Sequence, residues 1–194
     1  MDTTAGSYFE RLKTRIGLRL DDAAEFETVA RFAEWFWRHA PQNDLAARNV
    51  EDDAGLTIDS WKKFSQRASD DVLIIVANPV HARDGWQSSH TVVRIMAPDM
   101  PFMVDSALIA LSEDGNVTHH LNNLVFNVER DEGGSVTLVA DATSASHREL
   151  FIHVEIDRVA DSELDELTAR LEKTVTDLRA VVADFSAMKT QLAE

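Results

Sequence analysis

The hydrophobic period changes near residue 71, and that change restricts the chain to a helical segment followed by a sheet. Before it, "DDAAEFETVARFAEWFWRHAPQND" places Phe26, Val29, Phe32 or Ala33, Phe36 and Trp37 at three- and four-residue spacing until Pro41. Asp21 and Asp22 supply the N-cap and the first-turn negative charge of this helix, which must bury its aromatic stripe. A second helix is expected around "VEDDAGLTIDSWKKFSQRA", where Leu56, Ile58, Trp61 and Phe64 share a face and Gly55 weakens the start.

After residue 71 the pattern is that of strands. "DVLIIVANP" is a short β-branched run that reads as a buried strand, "RDGWQSS" is a turn-rich loop, and "HTVVRIMAP" is a second strand ended by Pro98. In "DMPFMVDS", Asp99 is expected to cap a helix with Pro101 in its first turn and Gly115 at its end. Phe102 is then expected to fill the groove between that helix and the sheet. "NVTHHLNNLVFNVERDEGGSVTLV" reads as a long strand and a hairpin with its tip at "RDEGGS". "HRELFIHVEIDRV" alternates, with Leu150, Ile152, Val154 and Ile156 on a covered face and Phe151, His153, Glu155 and Asp157 on an open one. From Asp161 onward, Leu164, Leu171, Leu178, Phe185 and Leu192 recur every seven residues, with Leu167, Val181 and Met188 on the intermediate register and Thr174 interrupting it. This long amphipathic helix packs on the sheet or extends as a coiled coil, and its last turns reach beyond a small sheet.

Composition narrows the function. An apolar fraction of 44% in 194 residues builds a real core, and a formal charge of -15 disfavours nucleic acid and anionic membranes as partners. There is no cysteine, so no disulfide or thiolate chemistry, and the longest aliphatic run, "VLIIVA", is too short to span a bilayer. With no signal-peptide core in "MDTTAGSYFERLKTRIG", a cytoplasmic protein is expected. The seven glycines form no dinucleotide or phosphate loop. His153, Glu155 and Asp157 share a strand face and are the nearest approach to a metal site, although open-face polarity explains them without a metal. His119 and His120 point to opposite faces, and Asp99 with Asp105 reads as turn chemistry ahead of an acid–base pair.

"GWQSSHTVVRIMAPDMPFMVDSALIALSEDGNVTHHLNNLVFNVERDEGG", followed by "ELFIHVEIDR", resembles the N-terminal region of the large bacterial NAD-dependent glutamate dehydrogenases. The upstream "VARFAEWFWRHAPQNDLAARNVEDDAGLTIDSWKKFSQRASDDVLIIVANP" is similar to that family's helical lead-in, and the likeness runs from about residue 20 to residue 190. It implies an α+β fold: a helical segment, residues 1–69, then an ACT-like (ferredoxin-like) antiparallel sheet, residues 70–194, with helices packed on one face and a long amphipathic helix at the end. It also implies a non-catalytic regulatory or assembly module within a longer enzyme. NAD and the oxidative deamination of glutamate belong to that parent, and other domains and subunits, in a homo-oligomer, are the partners. No catalytic, cofactor-binding or metal-binding residue is assigned here.

Two other functions compete. An amino-acid effector site would use Asp99, Met100, Pro101, Phe102, Asp105 and Asn116. The resemblance works against it, because ligand-binding ACT domains typically carry glycine after the proline of this turn, where Phe102 stands. A free-standing metal-dependent enzyme would use His153, Glu155 and Asp157.

Overall fold

The structure is a computed structural model that describes residues 3–131, 136–141 and 147–192. Helix α1 (Thr3–Gly17) sets Tyr8, Leu12 and Ile16 one turn apart, and all three are buried. Helix α2 (Ala23–Trp37) starts where Asp22 Oδ1 accepts the Glu25 N–H at 2.7 Å, as its sequence predicts. It stops at Trp37 rather than running to Pro41, and a turn leads to the short α3 (Gln42–Ala47). Both α1 and α3 lie within the helical segment expected for residues 1–69, although the sequence pattern singled out neither. Helix α4 (Val50–Gln66) is capped by Asn49, whose side-chain oxygen accepts the Glu51 N–H at 3.0 Å. Gly55 sits inside it because a Cβ there would come within 2.6 Å of both the Trp86 Cβ and an Arg19 guanidinium nitrogen.

Strands β1 (Leu73–Ala77), β2 (Thr91–Pro98), β3 (Thr118–Arg130), β4 (Val136–Asp141) and β5 (Arg148–Ile156) form one antiparallel sheet in the order β1-β2-β5-β3-β4. A one-turn helix, α5 (His81–Asp84), follows β1; α6 (Met103–Ser112) joins β2 to β3, and α7 (Leu164–Leu192) follows β5. Because β2 and β3 are both antiparallel to β5, they run parallel on either side of it, which gives the split βαβ unit of a ferredoxin-like sheet. The first strand, expected to be buried, is an edge strand with every residue half-exposed. The tip of the expected hairpin falls at residues 132–135, outside the described residues.

The alternation in β5 holds, but its second face is not open. Leu150, Ile152, Val154 and Ile156 join Val93, Ile95 and Ala97 beneath α6 and the first turns of α7, where Leu167, Leu171 and Val175 pack. Farther along α7 Val181 is 64% exposed, so the apolar seam leaves the sheet while the helix continues. On the other face Phe151, Phe126 and Met96 meet Phe32, Phe36, Trp61 and Phe64 of α2 and α4. Phe32 lies at the centre of this cluster, with ring centroids 5.4 to 6.2 Å from Phe36, Trp61, Phe64, Phe126 and Phe151.

Carboxylates on that same face of β5 are paired with arginines from the helical layer and from β3. Buried Glu149 binds Arg67, at the end of α4, and receives Arg130 of β3 at 2.7 and 2.8 Å. Arg94 of β2, 2% exposed, reaches Asp59 at 2.8 Å and Ser60 at 3.0 Å on α4. Glu149→Gln should therefore destabilise the protein by about 3–5 kcal/mol, because two desolvated guanidinium groups lose their counter-charge. Arg148→Ala, which removes an exposed ion pair with Asp99, should cost only about 0–1 kcal/mol. Urea denaturation of the two variants at neutral pH checks both values.

Candidate functional site

The turn between β2 and α6 is built differently from its sequence-based expectation. Asp99 stays in the ladder, its N–H donating to the Arg148 carbonyl at 2.9 Å, and its carboxylate pairs with the Arg148 guanidinium at 2.9 Å. It does not cap α6. The N-cap is Phe102, which has no side-chain cap bond and sits in the left-handed region at φ 66°. Phe102 follows Pro101, and its carbonyl accepts the Ser106 N–H at 2.9 Å, the first bond of α6. The same step turns the ring outward, so Phe102 is 69% exposed and does not fill the groove under the helix. Met103, at 1% exposure, takes that inner place.

Asp99, Met100, Pro101, Phe102 and Asp105 thus gather at the N-terminal end of α6. Asn116 lies beyond the other end, where its side-chain N–H donates to the Leu111 carbonyl at 3.2 Å. A ten-residue helix separates them by about 15 Å, so one small effector cannot touch both groups. Asn116 instead lines a cavity of about 360 Å³ with Asp114, Arg158, Glu163, Glu166 and Arg170. Arg170 is already committed there to Asp114 at 2.5 Å, and Arg158 donates to the Ser88 carbonyl at 3.0 Å.

The proposed ligand triad is also divided. Buried His153 and Glu155 lie beneath the N-terminal helices, with His153 Nε2 3.2 Å from Glu155 Oε1. Glu155 also pairs with Arg48 at 2.9 Å and with His90 at 3.4 Å, while Arg48 continues to Asp53 at 2.9 Å and Asp53 accepts the Tyr8 hydroxyl at 2.8 Å. Asp157 is outside this chain, accepting the Val117 N–H at 2.9 Å and pairing with His119 at 2.7 Å. Among the described residues no group of three His, Cys, Asp or Glu side chains is arranged to hold a metal ion.

Burial holds the His153 imidazole neutral, down to about 4. Burial alone would push Glu155 up, but its contacts with His153 and Arg48 outweigh that and keep the carboxyl well below the usual range. An ionised Glu155 accepts only, so His153 Nε2 is the donor, and the buried Nδ1 is left without a partner. His119 occupies a bulge between Thr118 and His120 that turns it onto His90, with the rings stacked at 4.3 Å. Arg48, Asp53, Tyr8 and His90 carried no local signal in the sequence, since Arg48 meets Glu155 across 107 positions.

A family model described as "Glutamate dehydrogenase, ACT1 domain" matches residues 32–171. The chain is 35% identical over 188 residues to an "NAD-specific glutamate dehydrogenase" of Halomonas elongata, covering 94% of this chain and 12% of that protein. It is 32% identical over 188 residues to a protein of the same name from Pseudomonas aeruginosa, covering 95% of this chain and 12% of that one. The chain therefore spans about one eighth of the length of these curated relatives. No solved structure matches it.

Two outcomes follow from the geometry. Phe102→Gly should leave stability unchanged or raise it by up to about 1 kcal/mol, since relief of a left-handed non-glycine residue offsets the added freedom of the unfolded chain. Thermal melts of the two proteins measure this directly. For His153 the folded value of about 4 lies below the ordinary 6.5, so the unfolded chain binds more protons in between, and stability must fall as pH drops through that window. The loss should approach about 3 kcal/mol, and Glu155 adds to it below its ordinary range. Urea midpoints between pH 7.5 and pH 4, about the span over which a histidine and a carboxyl titrate, should show a slope that flattens in His153→Gln.

Proposed function

Because the chain belongs to the family of glutamate dehydrogenase ACT1 domains, we propose that it works as a non-catalytic regulatory and assembly module of a large NAD-dependent glutamate dehydrogenase. In that reaction L-glutamate, NAD⁺ and water give 2-oxoglutarate, ammonium, NADH and a proton. The proposal places NAD binding and the chemistry in the remainder of the polypeptide, and this chain at its N-terminal end. The observation that carries it is the family match over residues 32–171 in a chain spanning 12% of each relative.

The arrangement of polar groups supports the same reading. Glu149, Glu155, His153 and Arg94, the groups best placed for chemistry by burial, tie the sheet to the helical layer or to one another. On this reading residues 1–69 serve as the cover of the ACT-like sheet formed by residues 70–194. The natural partners are other domains and subunits of a homo-oligomeric enzyme. A cytoplasmic setting goes with an NAD-linked enzyme, and among the described residues no helix is long and apolar enough to cross a membrane.

The test has two arms. The 194-residue chain, given L-glutamate and NAD⁺, should form no NADH, while deleting the corresponding region from the full-length enzyme should change its oligomeric size by sedimentation. NADH formation by the chain alone, or an enzyme whose assembly and regulation ignore the deletion, would sink the proposal.

A further inference from the structure

The outer face of α6 carries a feature that the fold itself does not use. Phe102, 69% exposed, and Ile109, 64% exposed, are seven residues apart and so lie on one face, about 10 Å from each other. Asp105 is exposed between them, and Glu113 continues the same line at the far end. From Asp99 to Asn116 the sequence holds four acidic residues and no Lys, Arg or His. The ring of Phe102 stands where the backbone is left-handed, a conformation that glycine adopts without strain. The isolated fold thus bears both a strained backbone and an aromatic ring in water at a single position. Left-handed non-glycine residues of this kind cluster at binding and switch regions.

We propose that the Phe102–Asp105–Ile109 face of α6 is a docking surface for another part of the same long polypeptide, one that offers an apolar pocket rimmed by Lys and Arg. The claim rests on the functional reading above, in which most of the polypeptide lies outside this chain. Charge decides the chemistry of the occupant. A net charge of -15 and the exposed Asp105 and Glu113 repel an anionic partner and attract a basic rim. They also disfavour a second copy of this chain, since a two-fold contact through the same stripe would bring two acidic stripes of like sign together. Phe102 is the anchor: a large ring, already outside the fold, that loses its water when it enters a pocket.

The test compares hydroxyl-radical labelling of Phe102 in the 194-residue chain with labelling in the full-length polypeptide that contains it. The ring should label roughly tenfold more slowly in the full-length protein, as expected for a hot-spot side chain taken from open solvent into a pocket. Protection should weaken in Ile109→Ser, and Asp105→Lys should weaken it most at low salt. Circular dichroism of the same substitutions in the 194-residue chain should stay unchanged, because both side chains are exposed. Equal labelling in the two proteins overturns the docking surface, whether or not the full-length protein forms NADH from glutamate. Failure of the full-length protein to form NADH, with Phe102 still protected, would overturn the functional reading and leave the surface standing. Protection already present in the 194-residue chain and lost on dilution would identify a second copy as the occupant and overturn the choice of partner.

Discussion

Strand β5 lies in the middle of the sheet and buries both of its faces, and almost everything else in the molecule answers to that constraint. Its apolar face needs only shape-matched neighbours, which α6 and α7 supply. Its other face carries Glu149, His153 and Glu155 around Phe151, and a carboxylate taken out of water requires a partner charge. Those charges come from Arg67, Arg130 and Arg48, two of them in the N-terminal helical segment. The helices are therefore a condition for burying β5, and the polar pairs fix where α4 lies on the sheet.

The interior pairs also shape the exterior. Arg48, Arg67, Arg94 and Arg130 face Asp53, Asp59, Glu149 and Glu155, so the paired charges cancel. Among the described residues the unpaired remainder of the acidic charge therefore lies on groups in contact with water. This sharpens the argument from composition: the surface that any partner meets is strongly acidic, and a phosphate-bearing partner meets that field at close range.

Local pattern revealed local structure. A strand-forming run ended by Pro98 located β2, period-two alternation located β5, the Asp22 cap located the start of α2, and the heptad spacing located the sheet-packed part of α7. Tyr8, Leu12 and Ile16, four residues apart, are an equally regular signal for α1. Other features have no local signature. That β5 would be covered on both sides depends on Arg48 and Arg67, which meet it 107 and 82 positions away. The course of the turn at Phe102 was hidden because a left-handed step is ordinarily announced by glycine or asparagine. Nothing in "DMPF" marks phenylalanine as the residue that takes it.

A strained turn survives only where its surroundings over-determine it. Here the surroundings are stiff: Asp99 is held in the β2–β5 ladder on one side, and Met103, Ala107, Ala110 and Leu111 anchor α6 to the sheet on the other. Between Asp99 and Met103 the chain has three residues in which to turn from strand to helix, one of them Pro101. The proline's φ is restricted, and the left-handed step falls on the residue after it. Position 102 is left-handed, and its side chain is exposed and makes no cap bond to α6. A glycine would serve the turn with less strain, and the ring that stands there instead faces the surface. The stability supplied by β5 and its arginines allows the module to carry that ring without loss of its shape.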